Sequence, residues 1–255
     1  MRISEMRSAS TAPPMFEPSQ TSSVPTIVVL VLSLVLAFTP NWEWPYEIAQ
    51  VQLGLSWASA GMVQATLREI LIVLGILSTV LFWEGKPLAS IGVQSLRTSD
   101  LGLAVAAYLL LELSQDFIGA LLNSQALRAT VPAPNLAQDF LELPLYLLLV
   151  GATVNSVYEE MWRAFAIERV EKISGSVTTA SIFSLIASVS THVPYWGFRG
   201  ALVLAPAQLV FVLLYVGRRS LPTCVVTHLI SDVYPTAIRP ALSTQGVAAL
   251  SRFGL

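Results

Sequence analysis

Apolar residues along this chain fall into long, nearly unbroken blocks, not into the alternating rhythm of half-buried strands. Seven blocks approach the roughly 20 apolar residues that a membrane-spanning helix needs. They lie near 24–41, 62–83, 101–122, 141–167, 177–197, 200–217 and 220–238. Backbone inside lipid must satisfy its own hydrogen bonds, and the blocks lack the apolar/polar alternation of barrel strands, so each reads as a helix. The pattern predicts an all-α, polytopic transmembrane helical bundle of about seven membrane helices, or eight if the C-terminal tail adds a short one.

Between and beyond the blocks the organisation is simple. Residues 1–24 are polar and rich in Ser, Thr and Pro, as in a disordered tail. Residues 25–239 form the helical domain, and 240–255 is a tail too short and mixed to span. The run from Pro25 to Phe38 has the length of a secretory apolar region, but Thr39-Pro40-Asn41-Trp42 offers no small-x-small cleavage site, so a retained first helix is expected. No internal repeat and no second domain is visible.

Composition strengthens the membrane reading: 54% of the 255 residues are hydrophobic and 12% charged, against about 25% charged in a soluble domain. A net charge of −2 with no basic run gives no footing for nucleic acid. Cys224, the one cysteine, cannot form an internal disulfide and reads as a small packing residue. Arg2, Arg7, Lys86, Arg97, Arg169, Lys172, Arg218 and Arg219 fall on one side of the predicted topology and Arg128, Arg199 and Arg239 on the other. That bias puts the N-terminus in the cytoplasm, and Trp42, Trp44, Tyr46, Tyr195 and Trp196 then suit the opposite interface.

The polar residues inside the blocks carry the chemistry. Ionisable groups within a membrane helix cost about 2.5–3.5 kcal/mol each, so each is a functional candidate. They are Arg68 and Glu69, Glu112 and Asp116, Glu159, Glu160 and Arg163, His192, then His228 and Asp232. The polar stretch Glu168–Ser176 reads as the turn of an antiparallel hairpin. Glu159 and His192 are equidistant from its Gly175–Ser176 step, so they should face each other, on the cytoplasmic side of the bilayer. Arg163 follows Glu159 by four residues and Glu160 by three, and Asp232 follows His228 by four, spacings that place each set on one helix face.

A carboxylate and imidazoles in a partly dry cavity can activate water in two ways. The carboxylate can act as general base, or the set can hold a zinc-type divalent metal, for which Glu160, His192 and His228 are the candidate ligands. Arg163 would pair with a glutamate or position a substrate carboxylate, and Asn155, one turn before Glu159, is a candidate supporting donor. Glu112 and Asp116 would line a cavity or meet a partner helix, and Arg68 and Glu69 would pair locally or reach the interface. The competing reading is a polar network that only holds helices together. A transporter relay is disfavoured by unbroken helices without a repeat.

Glu159-Glu160, His192 and His228-Leu-Ile-Ser-Asp232 together resemble the CPBP family of intramembrane CAAX proteases and bacteriocin-processing proteins, also called ABI, over about residues 141–236. That family carries EExxxR, FxxxH and HxxxN or HxxxD on successive membrane helices, and Glu84–Gly92 is similar to the linker ahead of its core. The resemblance implies an endopeptidase acting on a membrane-associated protein or peptide. Glu159, Glu160 or both, with His192, would activate water, and His228 and Asp232 would stabilise the oxyanion; a metal is one implied option. It also implies a bacterial inner-membrane protein, with a silent scaffold or self-immunity protein of the same fold as the alternative. Two positions depart from the pattern: the family arginine would fall on Ala164, whereas the arginine here is Arg163, and the phenylalanine of FxxxH is Ser188.

Overall fold

The computed structural model describes residues 24–38, 57–122, 145–234 and 238. Among these residues seven helices follow one another: α1 Val24–Phe38, α2 Trp57–Ser78, α3 Thr98–Leu121, α4 Leu145–Ser174, α5 Val177–Thr191, α6 Val193–Arg218 and α7 Leu221–Val233. A π turn, Thr79–Trp83, extends α2, and a 3₁₀ turn, Leu88–Ile91, lies in the connection to α3. Among the described residues there is no strand. The tail 1–23, the loop with Trp42, Trp44 and Tyr46, Arg128, Arg239 and the tail 240–255 lie outside the described residues.

The arrangement is that of a protein solvated by lipid. Phe82, Leu113, Phe117, Phe198 and Leu213 point outward, while Glu160, Arg163, Gln208 and His228 are buried. Water would disfavour both halves of that distribution; a bilayer favours both. Three described helices, Ser59–Trp83, Thr98–Leu121 and Trp196–Arg218, are long and apolar enough to cross a membrane. The chain is an integral membrane protein. Helix α4 is its centre, packed against α2, α5 and α7, with α3 and α6 joined on the far side.

The hairpin turn differs from its expected extent. Helix α4 runs on to Ser174, so only Gly175 and Ser176 remain as the turn, and residues 168–172 are helical. They stay helical because Glu168, Arg169 and Glu171 find partners on other elements. Arg219 donates to Glu168 and Glu171, both at 2.7 Å, and Tyr215 donates to Glu168 at 3.0 Å. Arg169 donates to Glu84 at 2.9 Å and to Ser90, and Arg218 pairs with Asp100, which also accepts the Arg97 N–H that opens α3. Gly92 fits against this tier only because it lacks a side chain: its φ is 77°, and a Cβ would stand 2.8 Å from the Arg219 carbonyl.

Burial pushes the Glu84 carboxyl up, but the Arg169 hydrogen bond and charge, with Thr26 and Lys86, hold it below the usual glutamate range. A carboxyl depressed in the folded state contributes stability above its unfolded value, about 4.3, and loses it as pH falls through the lowered one. The melting temperature of the detergent-solubilised protein is therefore expected to fall below about pH 4.3. Glu84→Gln should remove that share of the acid sensitivity; an identical pH profile in the variant would show that the clamp contributes nothing.

At its other end α5 stops at Thr191, earlier than the predicted 197. Pro194 accounts for the break in the ladder, since it has no N–H to bond back to Ser190 O, while His192 and Val193 keep helical geometry. His192 therefore caps α5 and opens α6, which kinks at Gly197.

Candidate active site

The end of α5 sets the state of His192. In an unbroken helix the His192 N–H would bond Ser188 O; here it goes to Val189 O at 3.2 Å, leaving Ser188 O among the orphaned carbonyls of a helix terminus. The ring of His192 fills that vacancy, Nδ1 lying 2.7 Å from Ser188 O, with Thr191 Oγ1 also donating to it at 2.8 Å. A carbonyl can only accept, so Nδ1 carries the proton and the neutral ring presents a bare Nε2. That Nε2 stands 3.8 Å from Glu159 Oε1. The hairpin symmetry thus brings the two residues together as its arithmetic predicts.

The second glutamate has a different environment. Glu160 is fully buried, whereas 17% of the Glu159 side chain is accessible. Arg163, itself 0% exposed, donates from Nε to Glu160 Oε2 at 3.0 Å and from Nη2 to Glu160 Oε1 at 3.2 Å. His228 donates from Nδ1 to Glu160 Oε1 at 2.8 Å. With both oxygens of Glu160 so occupied, His228 turns only Nε2 toward the cavity, 4.0 Å from Glu159 Oε2 and 3.7 Å from Asp232 Oδ1. Arg163 is sealed inside the protein, so of its two expected roles it takes the internal pairing.

Asn155 donates to Asp232 Oδ2 at 3.1 Å, and Ser156 approaches the same oxygen at 3.5 Å, fixing the carboxylate that faces His228. The gaps of 3.7–4.0 Å around Glu159, His192, His228 and Asp232 exceed hydrogen-bond length but are each bridgeable by one water. These groups line a cavity of about 580 Å³ that continues past Arg68, Glu69, Glu112 and Gln115. Arg68 and Glu69 form a local contact at 3.9 Å there. Asp116 is exposed, so only Glu112 of that pair reaches the cavity.

Glu159 lies ten residues along α4 from Arg169, about 15 Å, and His228 nine residues along α7 from Arg219, about 13 Å. Both stand more than two turns of helix from the charged tier.

The metal set Glu160, His192 and His228 is not assembled. Glu160 is committed to Arg163 and His228, and the His228 nitrogen nearest it is the one already donating to it. No group of three His, Cys, Asp or Glu side chains among the described residues is arranged to hold a metal ion.

Beyond the ionisable residues, the site uses neutral ones to which the sequence alone gave no hydrogen-bonding role. Gln208, 4% exposed, accepts from Arg163 Nη2 at 2.7 Å, and Ser188 Oγ accepts from Arg163 Nη1 at 3.2 Å. Phe211 stacks on His228 with ring centres 4.7 Å apart. The signal for Gln208 was an amide within an apolar block. Ser188 was marked only as the position where the family phenylalanine is missing, and Phe211 had no comparable mark.

This constellation spreads over α4, the α5 end, α6 and α7, in the order the motifs require. Residues 141–234 match the family model of type II CAAX prenyl endopeptidases, Rce1-like. The resemblance to intramembrane CAAX proteases is thereby borne out over this segment. Neither curated proteins nor solved structures gave a match. The Rce1-like segment contains Glu159, Glu160, Arg163, His192, His228 and Asp232, while Arg68, Glu69 and Glu112 reach the cavity from helices outside it.

Proposed function

We propose that this protein is an intramembrane endopeptidase that hydrolyses a peptide bond in a membrane-associated protein or peptide, prenylated substrates being the class its Rce1-like segment suggests. The observation that carries the reading is one accessible carboxylate, Glu159, standing a water's width from two imidazole Nε2 atoms. In this reading Glu159 takes a proton from a water held between it and His192, and the water oxygen adds to the scissile carbonyl carbon. His228, as an imidazolium between Glu160 and Asp232, donates from Nδ1 to Glu160 and turns its Nε2–H to the developing oxyanion. The Asp232 carboxylate cannot itself receive negative charge favourably; it orients and balances His228. Collapse breaks the C–N bond, with the proton passing from Glu159 to the leaving amine. Because the residues do not fit the metal trio, no step runs through a metal.

We propose a bacterial inner membrane on the family resemblance and a cytoplasmic N-terminus on the Lys/Arg bias. The test is hydrolysis of internally quenched, lipid-anchored peptides, prenylated and unprenylated, by protein reconstituted in liposomes. His192→Gln is expected to lower the rate at least about 100-fold. Unchanged hydrolysis in a folded His192→Gln variant would refute the assignment.

A further inference from the structure

The two departures from the family motifs are in contact. Arg163 stands one position before the family arginine, which turns it about 100° round α4. Its guanidinium then points at α5, where Ser188 replaces a phenylalanine, and Ser188 Oγ accepts from Nη1 at 3.2 Å. A phenyl ring at 188 would fill the space the guanidinium occupies and offer no acceptor. Gln208 of α6 takes a further N–H at 2.7 Å. Phe211, from the same helix, covers the Arg163 guanidinium at 5.4 Å while stacking on His228, so an aromatic wall for both groups comes from α6.

We propose that Ser188 and Gln208 are positioning residues that seat the displaced arginine. Through Arg163 they hold Glu160, and through Glu160 they hold His228 with Nε2 toward the cavity. Arg163 and Ser188 are a compensating pair, and the motif has moved as a unit instead of decaying at two points. The catalytic half of this inference rests on the hydrolytic reading above; the structural half does not.

Four variants test it: Ser188→Phe, Gln208→Leu, Gln208→Glu, and the register exchange Arg163→Ala/Ala164→Arg/Ser188→Phe. Ser188→Phe and Gln208→Leu are expected to lower kcat about ten- to a hundredfold with KM within about twofold, as misplacement of catalytic groups does. Gln208→Glu, which keeps the acceptor, should retain most of the rate, and the register exchange should recover most of what Ser188→Phe loses. Melting temperatures follow the same order, so the cycle is readable without substrate. If no peptide is cleaved by the unaltered protein, the hydrolytic reading fails, yet non-additive melting between the 163/164 exchange and Ser188→Phe still supports the pairing. Wild-type melting and turnover in Ser188→Phe, or a register exchange no better than Ser188→Phe alone, would overturn the proposal.

Discussion

Replacing Glu159 by glutamine is expected to lower peptide hydrolysis by about 10²–10⁴-fold while the helices stay assembled. The expectation follows from the unequal surroundings of two adjacent carboxylates. Glu159 keeps 17% of its side chain accessible, with Oε1 3.8 Å from His192 Nε2 and Oε2 4.0 Å from His228 Nε2, so an amide of equal size fits without disturbing a close contact. The change removes the ability to take a proton and, with it, a negative charge 4.0 Å from Arg163 Nη2. Glu160→Gln is a different perturbation, because it deprives the buried Arg163 of its counter-charge and His228 Nδ1–H of an ionised acceptor. That variant should lose stability as well as rate. The pair is compared by initial rates in liposomes alongside thermal melting. An active Glu159→Gln beside a folded, inactive Glu160→Gln would transfer the base to Glu160.

The largest stability effect is expected from Arg163→Met. Its guanidinium is the cation bonded to both oxygens of Glu160, a carboxylate with no exposed surface. Removing one partner of a buried ion pair leaves an uncompensated charge and costs about 3–5 kcal/mol. The methionine fills a similar volume, so little of the loss comes from a cavity. Adding Glu160→Gln to Arg163→Met should recover part of the stability, since the stranded charge is then gone. Chemical unfolding in mild detergent measures both. A loss below about 1 kcal/mol, the scale of an exposed pair, would mean that Glu160 is compensated elsewhere.

The seven helices were legible because lipid imposes long apolar blocks whose existence does not depend on packing detail. The meeting of Glu159 with His192 was legible for a different reason: it depends on the centre of the hairpin, and that centre stays at Gly175 even though α4 runs two turns further than the loop reading allowed. The loop itself was misread because Glu168, Arg169 and Glu171 are satisfied by Arg219 and Glu84, partners at least 48 positions away in sequence. Helical spacing likewise grouped Glu112 with Asp116, yet four residues advance a helix by about 400°, and the extra 40° takes Asp116 out of the cavity. A search for ionisable residues could find Arg163 but not its seat, since Ser188, Gln208 and Phe211 are neutral residues whose role exists only in the assembled bundle.

Helix α5 has a consequence outside the protein. It is bounded by turns at both ends and contains 15 residues, about 22 Å of helix. Hydrocarbon about 30 Å thick cannot match it, so the membrane beside α5 must thin or another surface must cover the mismatch. Where it thins, headgroups and their water are drawn toward the end of α5 that His192 caps. On the hydrolytic reading, a site that consumes one water per bond broken then depends on the acyl chain length of its surroundings, and the lipid becomes a reaction variable set by where one proline stops one helix.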